Sequence, residues 1–193
     1  SQKNIVLDMT NGMYFFTLTP KTMNVLPPHH TFGSTVNFVG HYAQGIEVYI
    51  SSGLRYIPQE LKEQQPSHLI LVPLFIEKLY DKVWKGAEES GKASILRTMI
   101  KVSNALLKVG IDLRRKLFRS VIENFGGKLE LVICGGAPLN QEIINFFTAV
   151  GITILNGYGI TECSPLISCN RNKYRKTGSV GMPIKDLKVK IKD

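Results

Sequence analysis

Five residues near the carboxyl end of the chain have the types and spacing of a nucleotide site. Gly157 and Gly159 flank Tyr158, and since glycine has no Cβ the backbone can approach a ligand closely at both positions. The ring of Tyr158 offers a flat face for stacking. Thr161 can donate a hydrogen bond to a phosphate oxygen, and Glu162 supplies the hard oxygen ligand that suits Mg²⁺.

A second glycine-rich loop, Gly-Gly-Ala-Pro at 135–138, lies upstream and follows an apolar stretch at 129–134. Each loop alone has a plain structural interpretation. The later one could be a tight turn with a surface carboxylate, and the earlier one could be a turn into a helix that Asn140 caps. Two strands that both end in glycine-rich loops instead indicate the edge of a nucleotide-binding pocket. The pairing of the loops therefore favours the functional interpretation.

Alternating helices and strands must position these loops. Helices are predicted at 2–12, 32–44, 58–65, 74–90, 92–125 and 140–150, and strands at 22–26, 46–50, 68–73, 129–134, 153–155 and 187–192. The first helix starts without a capping residue, and Gly110 interrupts the fifth. Elements that alternate in this order predict a doubly wound, largely parallel α/β sheet with flanking helices. In such sheets ligands bind at the carboxyl ends of strands, where both loops would lie.

The composition is that of an ordinary globular domain. With 193 residues the chain is long enough for a single hydrophobic core. No apolar run reaches the roughly 18 residues of a membrane span, and the amino terminus has no signal-peptide pattern. The chain has three cysteines, Cys134, Cys163 and Cys169. An odd number of cysteines indicates reduced thiols in a cytoplasmic protein rather than a disulfide framework. Their spacing does not suit a zinc site.

The net charge of +9 is concentrated in two regions. Residues 92–119 hold eight Lys and Arg against one Asp, and residues 171–193 hold eight against two Asp, so the rest of the chain is net acidic. The uniform basicity of a nucleic-acid binder is absent, and no nucleic acid is expected as a partner.

The basic stretch at 92–119 has three interpretations. Its apolar residues at 95, 99, 102, 106 and 109 form one stripe, which predicts an amphipathic helix. The basic residues can be its solvated face, which is the simplest interpretation. They can also form a peripheral membrane contact, because Lys and Arg opposite an apolar stripe suit anionic lipid. The third interpretation is nucleic acid, which no aromatic interleaving supports.

Five segments resemble the motifs of the adenylate-forming, or AMP-binding, enzymes, a superfamily of acyl-CoA synthetases, luciferases and peptide-synthetase adenylation domains. They occur in the family's order, at 1–5, 26–33, 135–139, 158–162 and 178–183. The segment 125–129, which follows a long basic helical insert, is most similar to the long-chain fatty acid–CoA ligases. The resemblance covers essentially the whole chain, so that 1–193 would be a single α/β segment from the middle of an AMP-binding domain.

The resemblance implies a two-step reaction that uses ATP, Mg²⁺ and CoA. A fatty acid carboxylate attacks the α-phosphate of ATP, which gives an acyl-adenylate and pyrophosphate, and the thiol of CoA then displaces AMP. The implied nucleotide site consists of Gly135, Gly136, Ala137, Pro138, Asn156, Gly157, Tyr158, Gly159 and Thr161. Thr161 would contact the α-phosphate and Glu162 would hold Mg²⁺, so these two residues would be catalytic. His30 and Gly157 would border the acyl carboxylate.

Two parts of the family's pattern have no counterpart in the sequence. No phosphate-binding loop precedes Ser1, and no carboxy-terminal domain with the family's lysine follows Asp193. We therefore expect a fragment of a longer enzyme that is inactive alone. The alternatives are the adenylation of an aryl or amino acid and a non-catalytic module that binds nucleotide or lipid. No oligomeric state follows from the sequence.

Overall fold

The computed structural model describes residues 1–18, 20–176 and 178–192. Its strands are β1 (Lys21–Asn24), β2 (Glu47–Ile50), β3 (His68–Leu71), β4 (Leu131–Cys134), β5 (Thr153–Gly159), β6 (Leu166–Cys169) and β7 (Met182–Pro183). They form one sheet in the order β2-β1-β3-β4-β5-β6-β7. The strands β1 to β5 are parallel, and β6 runs antiparallel to both β5 and β7. The predicted doubly wound, largely parallel α/β fold is confirmed.

The helices connect these strands and lie on both faces of the sheet. They are α1 (Gln2–Met13), a π-helix (Phe32–Val39) that continues into α2 (Gly40–Ala43), α3 (Ile57–Gln64), α4 (Pro73–Glu89), α5 (Ala93–Lys108), α6 (Arg114–Leu117), α7 (Arg119–Glu123) and α8 (Gln141–Ala149). In the described part of the chain, none of them is both long enough and apolar enough to span a bilayer.

Two hydrophobic clusters hold the helices against the sheet. Successive side chains of a strand point to opposite faces, so neighbouring residues of β3 and β4 belong to different clusters. Leu69 and Val132 pack in the cluster beneath α3, α4, α5 and α8. Ile70 and Ile133 pack in the cluster beneath α1 and the π-helix. Because both faces are covered, the carboxyl edge of the parallel strands is the part of the sheet that a ligand can reach.

Three of the predicted elements are wrong in their bounds or type. The strand predicted at 153–155 extends to Gly159, so residues 157–159, which were predicted as a loop, belong to β5. Residues 187–192 form no strand, because their alternating side chains meet no neighbouring strand in the described residues, and Ile191 is almost fully exposed. The long helix predicted at 92–125 is three helices, α5, α6 and α7, since the chain leaves helical geometry around Gly110, whose φ of 82° is left-handed. The strands β6 and β7 were not predicted.

Two helix starts also differ from the prediction. The helix at 32–44 begins as a π-helix, in which the amide of Gly40 donates to the carbonyl of Thr35, five residues earlier. The first helix does have a capping residue, because the hydroxyl of Ser1 accepts a hydrogen bond from the amide of Asn4.

Two buried histidines join α2 to the centre of the sheet. The rings of His41 and His68 are stacked, and their Nε2 atoms lie 2.7 Å apart. The Nδ1 atom of His41 lies 3.2 Å from the carbonyl oxygen of Val36 and therefore carries the proton, so that its Nε2 accepts a hydrogen bond from Nε2–H of His68. Burial lowers the pKa of both rings, which keeps the pair neutral.

A buried carboxyl group fixes α1 against β6. The Oδ1 atom of Asp8 accepts a hydrogen bond from the amide of Leu166 at 3.1 Å, and Asp8 is almost wholly buried. Its Oδ2 atom has no partner among the described residues. Burial raises the pKa of Asp8 to about 7, while the hydrogen bond from Leu166 acts in the opposite direction. The folded chain therefore keeps this carboxyl protonated over most of the acidic range.

We expect Asp8→Asn to stabilise the chain, relative to the wild type, by an amount that grows with pH. The folded-state pKa of about 7 lies above the ordinary value of 3.8, so between these values the folded state binds a proton that the unfolded state has released. Wild-type stability therefore falls relative to the variant as pH rises through this interval, and the difference becomes constant above it. The difference in the free energy of unfolding between the two proteins can reach at most about 4 kcal/mol, since one pKa unit corresponds to about 1.4 kcal/mol.

Urea denaturation of the wild type and of Asp8→Asn at a series of pH values measures this difference. Comparing the two proteins at each pH removes the contributions of the other titrating groups, His41 and His68 among them. A difference in the free energy of unfolding that stays constant between the ordinary and the raised pKa would contradict the prediction.

Candidate active site

Strand pairing brings the two glycine-rich loops together. The strands β4 and β5 are parallel neighbours, and Cys134 at the end of β4 pairs with Asn156. Residues 135–138, which follow β4, and residues 157–159, which end β5, therefore lie at the same edge of the sheet. A Cβ on Gly157 would lie 3.8 Å from the carbonyl oxygen of Cys134, which is the distance of an ordinary contact.

The strand β5 extends past the end of β4 and pairs there with β6 on its other side. This antiparallel pairing has an irregularity between Tyr158 and Gly159. Gly159 is so close to the neighbouring backbone that a Cβ would overlap the carbonyl oxygen of Pro165. A short 3₁₀ helix, Thr161–Cys163, follows directly. The glycine is thus required by a close backbone approach, and it fixes where the turn after β5 begins.

A cavity of about 470 Å³, the apolar cavity, opens beside these loops. Its hydrophobic walls come from the π-helix, the start of α4, β4, β6 and the connecting segments, and they include Phe16, Phe32, Val36, Val72, Leu74, Ile133, Ile160 and Leu166. Among the described residues, no Asp, Glu, Lys or Arg lines it. The volume is within the range of sites for small organic molecules. The cavity therefore suits an uncharged, apolar group.

The polar side chains that line the same cavity are those of His30, Thr31, Tyr158 and Thr161. The amide of Phe32 donates to Nδ1 of His30 at 3.1 Å, so the proton of the neutral ring sits on Nε2, where it can be donated. The hydroxyl oxygen of Thr31 is buried and has no partner within the described chain. Both groups can donate a hydrogen bond to a carboxylate. Sequence reasoning missed Thr31, because only the folded chain shows that its hydroxyl lacks a partner.

A second cavity of about 410 Å³, the glycine-rich cavity, adjoins the first. The two cavities share the lining residues Gly136, Ala137, Gly157, Tyr158 and Gly159, which form the partition between them. The glycine-rich cavity is completed by residues that include Pro138, Asn156 and the segment 178–180. The side chain of Tyr158 is 49% exposed, which leaves its ring accessible for stacking.

Asn170 links two walls of the glycine-rich cavity through hydrogen bonds to their backbones. Its backbone and side-chain amides donate to the carbonyl oxygen of Asn156 at 2.9 Å and 3.3 Å. The side-chain amide also donates to the carbonyl oxygen of Ser179 at 2.7 Å. These bonds hold β5 and the segment 178–180 at a fixed separation. Sequence reasoning missed Asn170, since nothing in its neighbourhood along the chain distinguishes it from the other asparagines.

All the predicted site residues except Glu162 line one or both cavities. Those that line the apolar cavity alone are His30, Gly135 and Thr161, and those that line the glycine-rich cavity alone are Pro138 and Asn156. Gly136 and Ala137, which were predicted for the nucleotide site, belong to the partition. Glu162 lies outside both cavities, exposed on the 3₁₀ helix directly after Thr161. Ten of the predicted residues therefore line the two cavities that share this partition, and the carboxylate of Glu162 lies just outside them, at the rim.

The donors near this rim fit one kind of metal site. Within the described residues, no group of three or more His, Cys, Asp and Glu side chains could enclose a metal ion. Glu162 offers a single exposed carboxylate, beside the exposed Thr161. Mg²⁺ usually takes one or two carboxylates and completes its octahedral shell with phosphate oxygens and water. The donor set therefore fits Mg²⁺ held jointly with a phosphorylated ligand.

We expect Gly159→Ala to destabilise the partition and Gly157→Ala to be tolerated. The Cβ of an alanine at 159 would overlap the backbone of Pro165, which cannot rotate away, whereas the atom nearest to a Cβ at 157 is 3.6 Å distant. Overpacking of this kind costs about 1–3 kcal/mol. Chemical denaturation of both variants measures the difference, with Gly157→Ala as the matched control. Equal free energies of unfolding in the two variants would show that the close approach is not a constraint.

Known proteins resemble this chain along its whole length. The family described as AMP-binding enzyme matches residues 1–193. Long-chain-fatty-acid–CoA ligase 5 of Rattus norvegicus is 28% identical over 205 residues, which cover 100% of this chain and 30% of that protein. The probable acyl-activating enzyme 16, chloroplastic, of Arabidopsis thaliana is 30% identical, over 89% of this chain and 29% of that protein. The chain spans about 30% of the length of these curated relatives.

Solved structures share the fold. The anthranilate CoA ligase AuaEII, in complex with anthranoyl-AMP, matches with a TM-score of 0.66 and 16% sequence identity, over 96% of this chain and 30% of that chain. At this level of identity the likeness concerns the fold. The arrangement of strands, helices and loops described above is thus one that also occurs in ligases.

Proposed function

This chain belongs to the AMP-binding enzyme family, and from that premise we propose that it forms the adenine and acyl walls of a long-chain fatty acid–CoA ligase. The observation that carries the proposal is the partition at 136–137 and 157–159, with an apolar cavity on one side and a glycine-rich cavity on the other. An acyl-adenylate has the same division, since an apolar chain is joined through a carbonyl to a nucleotide. The activity is proposed for the intact gene product, because the curated relatives are about three times as long.

The partition would hold the acyl carboxylate and the α-phosphate of ATP in position to react. The acyl chain lies in the apolar cavity, where Nε2–H of His30 and the hydroxyl of Thr31 donate to its carboxylate. The adenine lies in the glycine-rich cavity against the ring of Tyr158, and Thr161 contacts the α-phosphate. The carboxylate oxygen then bonds to the α-phosphorus as the bond to pyrophosphate breaks. Positioning of this kind supplies much of the catalysis in reactions at phosphorus.

Two further participants complete the proposed reaction. Glu162 would hold Mg²⁺, which when bound neutralises the charge that builds up on the phosphate oxygens. In the second step the sulfur of CoA bonds to the acyl carbon, the bond to AMP breaks, and the thiol loses its proton. The proposed reaction needs no covalent nucleophile from this chain. Cys134, at the end of β4, is buried, and burial raises the pKa of its thiol to about 12.

The lining of the apolar cavity favours a fatty acid over an amino acid as the substrate. An amino acid carries an ammonium group that would need an acidic partner when buried, and no Asp or Glu lines the cavity in the described residues. A fatty chain needs only apolar surface, which the cavity provides. An aryl acid is the second candidate, because Phe16 and Phe32 offer ring surfaces and an anthranilate ligase shares the fold. A non-catalytic nucleotide- or lipid-binding module is the third.

Calorimetric titration with non-hydrolysable acyl-adenylate analogues, from acetyl to palmitoyl, tests the proposal. We expect affinity to rise by roughly fourfold per methylene until the cavity is filled, because each buried methylene contributes about 0.8 kcal/mol. Tyr158→Ala should weaken all members of the series equally, through lost stacking, while Tyr42→Ala, an exposed tyrosine that lines neither cavity, should change nothing. An aryl-adenylate that binds more tightly than every fatty analogue would identify the second candidate. If the intact gene product binds no analogue, the proposal is wrong.

Replacing the carboxylate at the rim tests the metal role separately. In the intact gene product, Glu162→Gln should lower turnover at limiting Mg²⁺ by roughly 10–100-fold, since the loss of a group that orders a metal site has effects of this size. Raising Mg²⁺ should restore part of the rate. Glu88→Gln, an exposed carboxylate on α4, is the matched control and should behave as the wild type. Wild-type turnover of Glu162→Gln at every Mg²⁺ concentration would exclude this role.

A further inference from the structure

The apolar stripe of α5 lies mainly on the outside of the molecule. A stripe of this kind normally faces the core of a globular protein. Here the buried residues of α5 are Leu96 and Ser103, which lie on a different side of the helix. Ile95, Val102 and Val109 are 55%, 48% and 72% exposed. They are spaced by seven residues, so they form one exposed line about 21 Å long.

The exposed line continues beyond the helix and borders a groove. Ile111 and Leu113, in the connection to α6, are both exposed hydrophobic residues. A groove of about 400 Å³ lies between α4, α5 and α7, with Ile95 and Met99 in its lining and Lys92 beside them. None of these residues lines the apolar or the glycine-rich cavity. The surface is therefore separate from the candidate active site.

The charged residues of α5 are all basic. Arg97, Lys101 and Lys108 lie on α5, and the helix contains no Asp or Glu. The lysines at 101 and 108 are exposed, and they take part in none of the salt bridges found in the described residues. The nearest carboxylate along the chain, Asp112, is bound by Arg114 at 2.7 Å. Positive charge and exposed apolar surface thus occur on the same exposed helix, and no carboxylate of that helix balances the charge.

We propose that α5, with the connection at 109–113, is a docking surface for an anionic phospholipid membrane. Such a membrane has a layer of phosphate and carboxylate groups directly above a hydrocarbon layer, and it therefore matches both halves of the surface. The lysines at 101 and 108 would reach the headgroups while Ile95, Val102 and Val109 enter the apolar boundary beneath them. A nucleic acid would satisfy the charges and leave the apolar line in water. The proposal goes beyond the ligase activity and does not rest on it.

Co-sedimentation of the chain with lipid vesicles tests the proposal. We expect binding to vesicles that contain phosphatidylserine, little binding to vesicles of phosphatidylcholine alone, and weaker binding as salt is raised. Val102→Ser combined with Val109→Ser should reduce binding at least tenfold, and both positions are exposed enough for the fold to be retained. Lys101→Gln combined with Lys108→Gln should reduce it by roughly fivefold for each charge removed.

Two control variants separate this surface from general effects. Lys188→Gln combined with Lys190→Gln removes the same charge from the other basic region, and Leu54→Ser removes an exposed apolar side chain elsewhere. Both should bind vesicles as the wild type does. Circular dichroism of every variant establishes that α5 is still folded.

Three outcomes would overturn the proposal. The first is that the wild-type chain fails to sediment with phosphatidylserine vesicles. The second is a result that indicates a general polyanion site, of the kind a nucleic acid occupies. Such a result would be a loss of vesicle binding in the variant at 188 and 190 as large as in the variant at 101 and 108, or unchanged binding in the valine variant. The third is concentration-dependent self-association that Val102→Ser with Val109→Ser abolishes, which would mean that a second copy covers the surface. An intact gene product that binds vesicles and no adenylate analogue would contradict the proposed ligase function alone.

Discussion

The position of β5 between β4 and β6 is the constraint on which both cavities depend. As far as Asn156 this strand is held by its parallel neighbour β4, and beyond that residue it is held by the antiparallel β6. The change of partner exposes one edge of the backbone at 157–159, where the loop that follows β4 turns away. A glycine is needed at 159 because the backbone of Pro165 leaves no room for a Cβ there, whereas a Cβ at 157 would make only ordinary contacts. The partition is therefore made mostly of main chain, with the ring of Tyr158 as its large side chain.

The two faces of the sheet are held by different kinds of interaction. Beneath α1 and α2, hydrophobic packing is accompanied by buried ionisable groups kept neutral: the carboxyl of Asp8 and the pair formed by His41 and His68. A buried neutral acid weakens the fold as pH rises, whereas buried neutral bases weaken it as pH falls, so the two act in opposite directions. The other face has an aromatic cluster in which the rings of Tyr80, Phe146 and Phe147 meet edge to face.

The alternating pattern of helices and strands predicted the sheet, and with it the meeting of two glycine-rich loops, because the ends of parallel strands must share an edge. The pattern failed where the outcome depends on partners distant in the chain. Alternation at 187–192 was not enough for a strand without a neighbour to pair with, as the exposure of Ile191 shows. The stripe on α5 is visible in the sequence, but the side of the helix that packs is decided by α4 and α8. Likewise the contact of His41 with His68, and the bonds of Asn170, join residues that the sequence keeps apart.

Because the partition is shared, the two cavities cannot be reshaped independently from within it. A shift of the main chain at 157–159 would change the shape of both cavities at the same time. Residues such as Phe32, Val36 and Leu74 touch the apolar cavity alone, and all lie on helices rather than on the partition. In the proposed function the apolar cavity takes the acid, so diversification towards new acids would concentrate on those helices while the glycine-rich cavity remained the same. A designer who wishes to reshape the apolar cavity without disturbing the glycine-rich cavity should start from the π-helix.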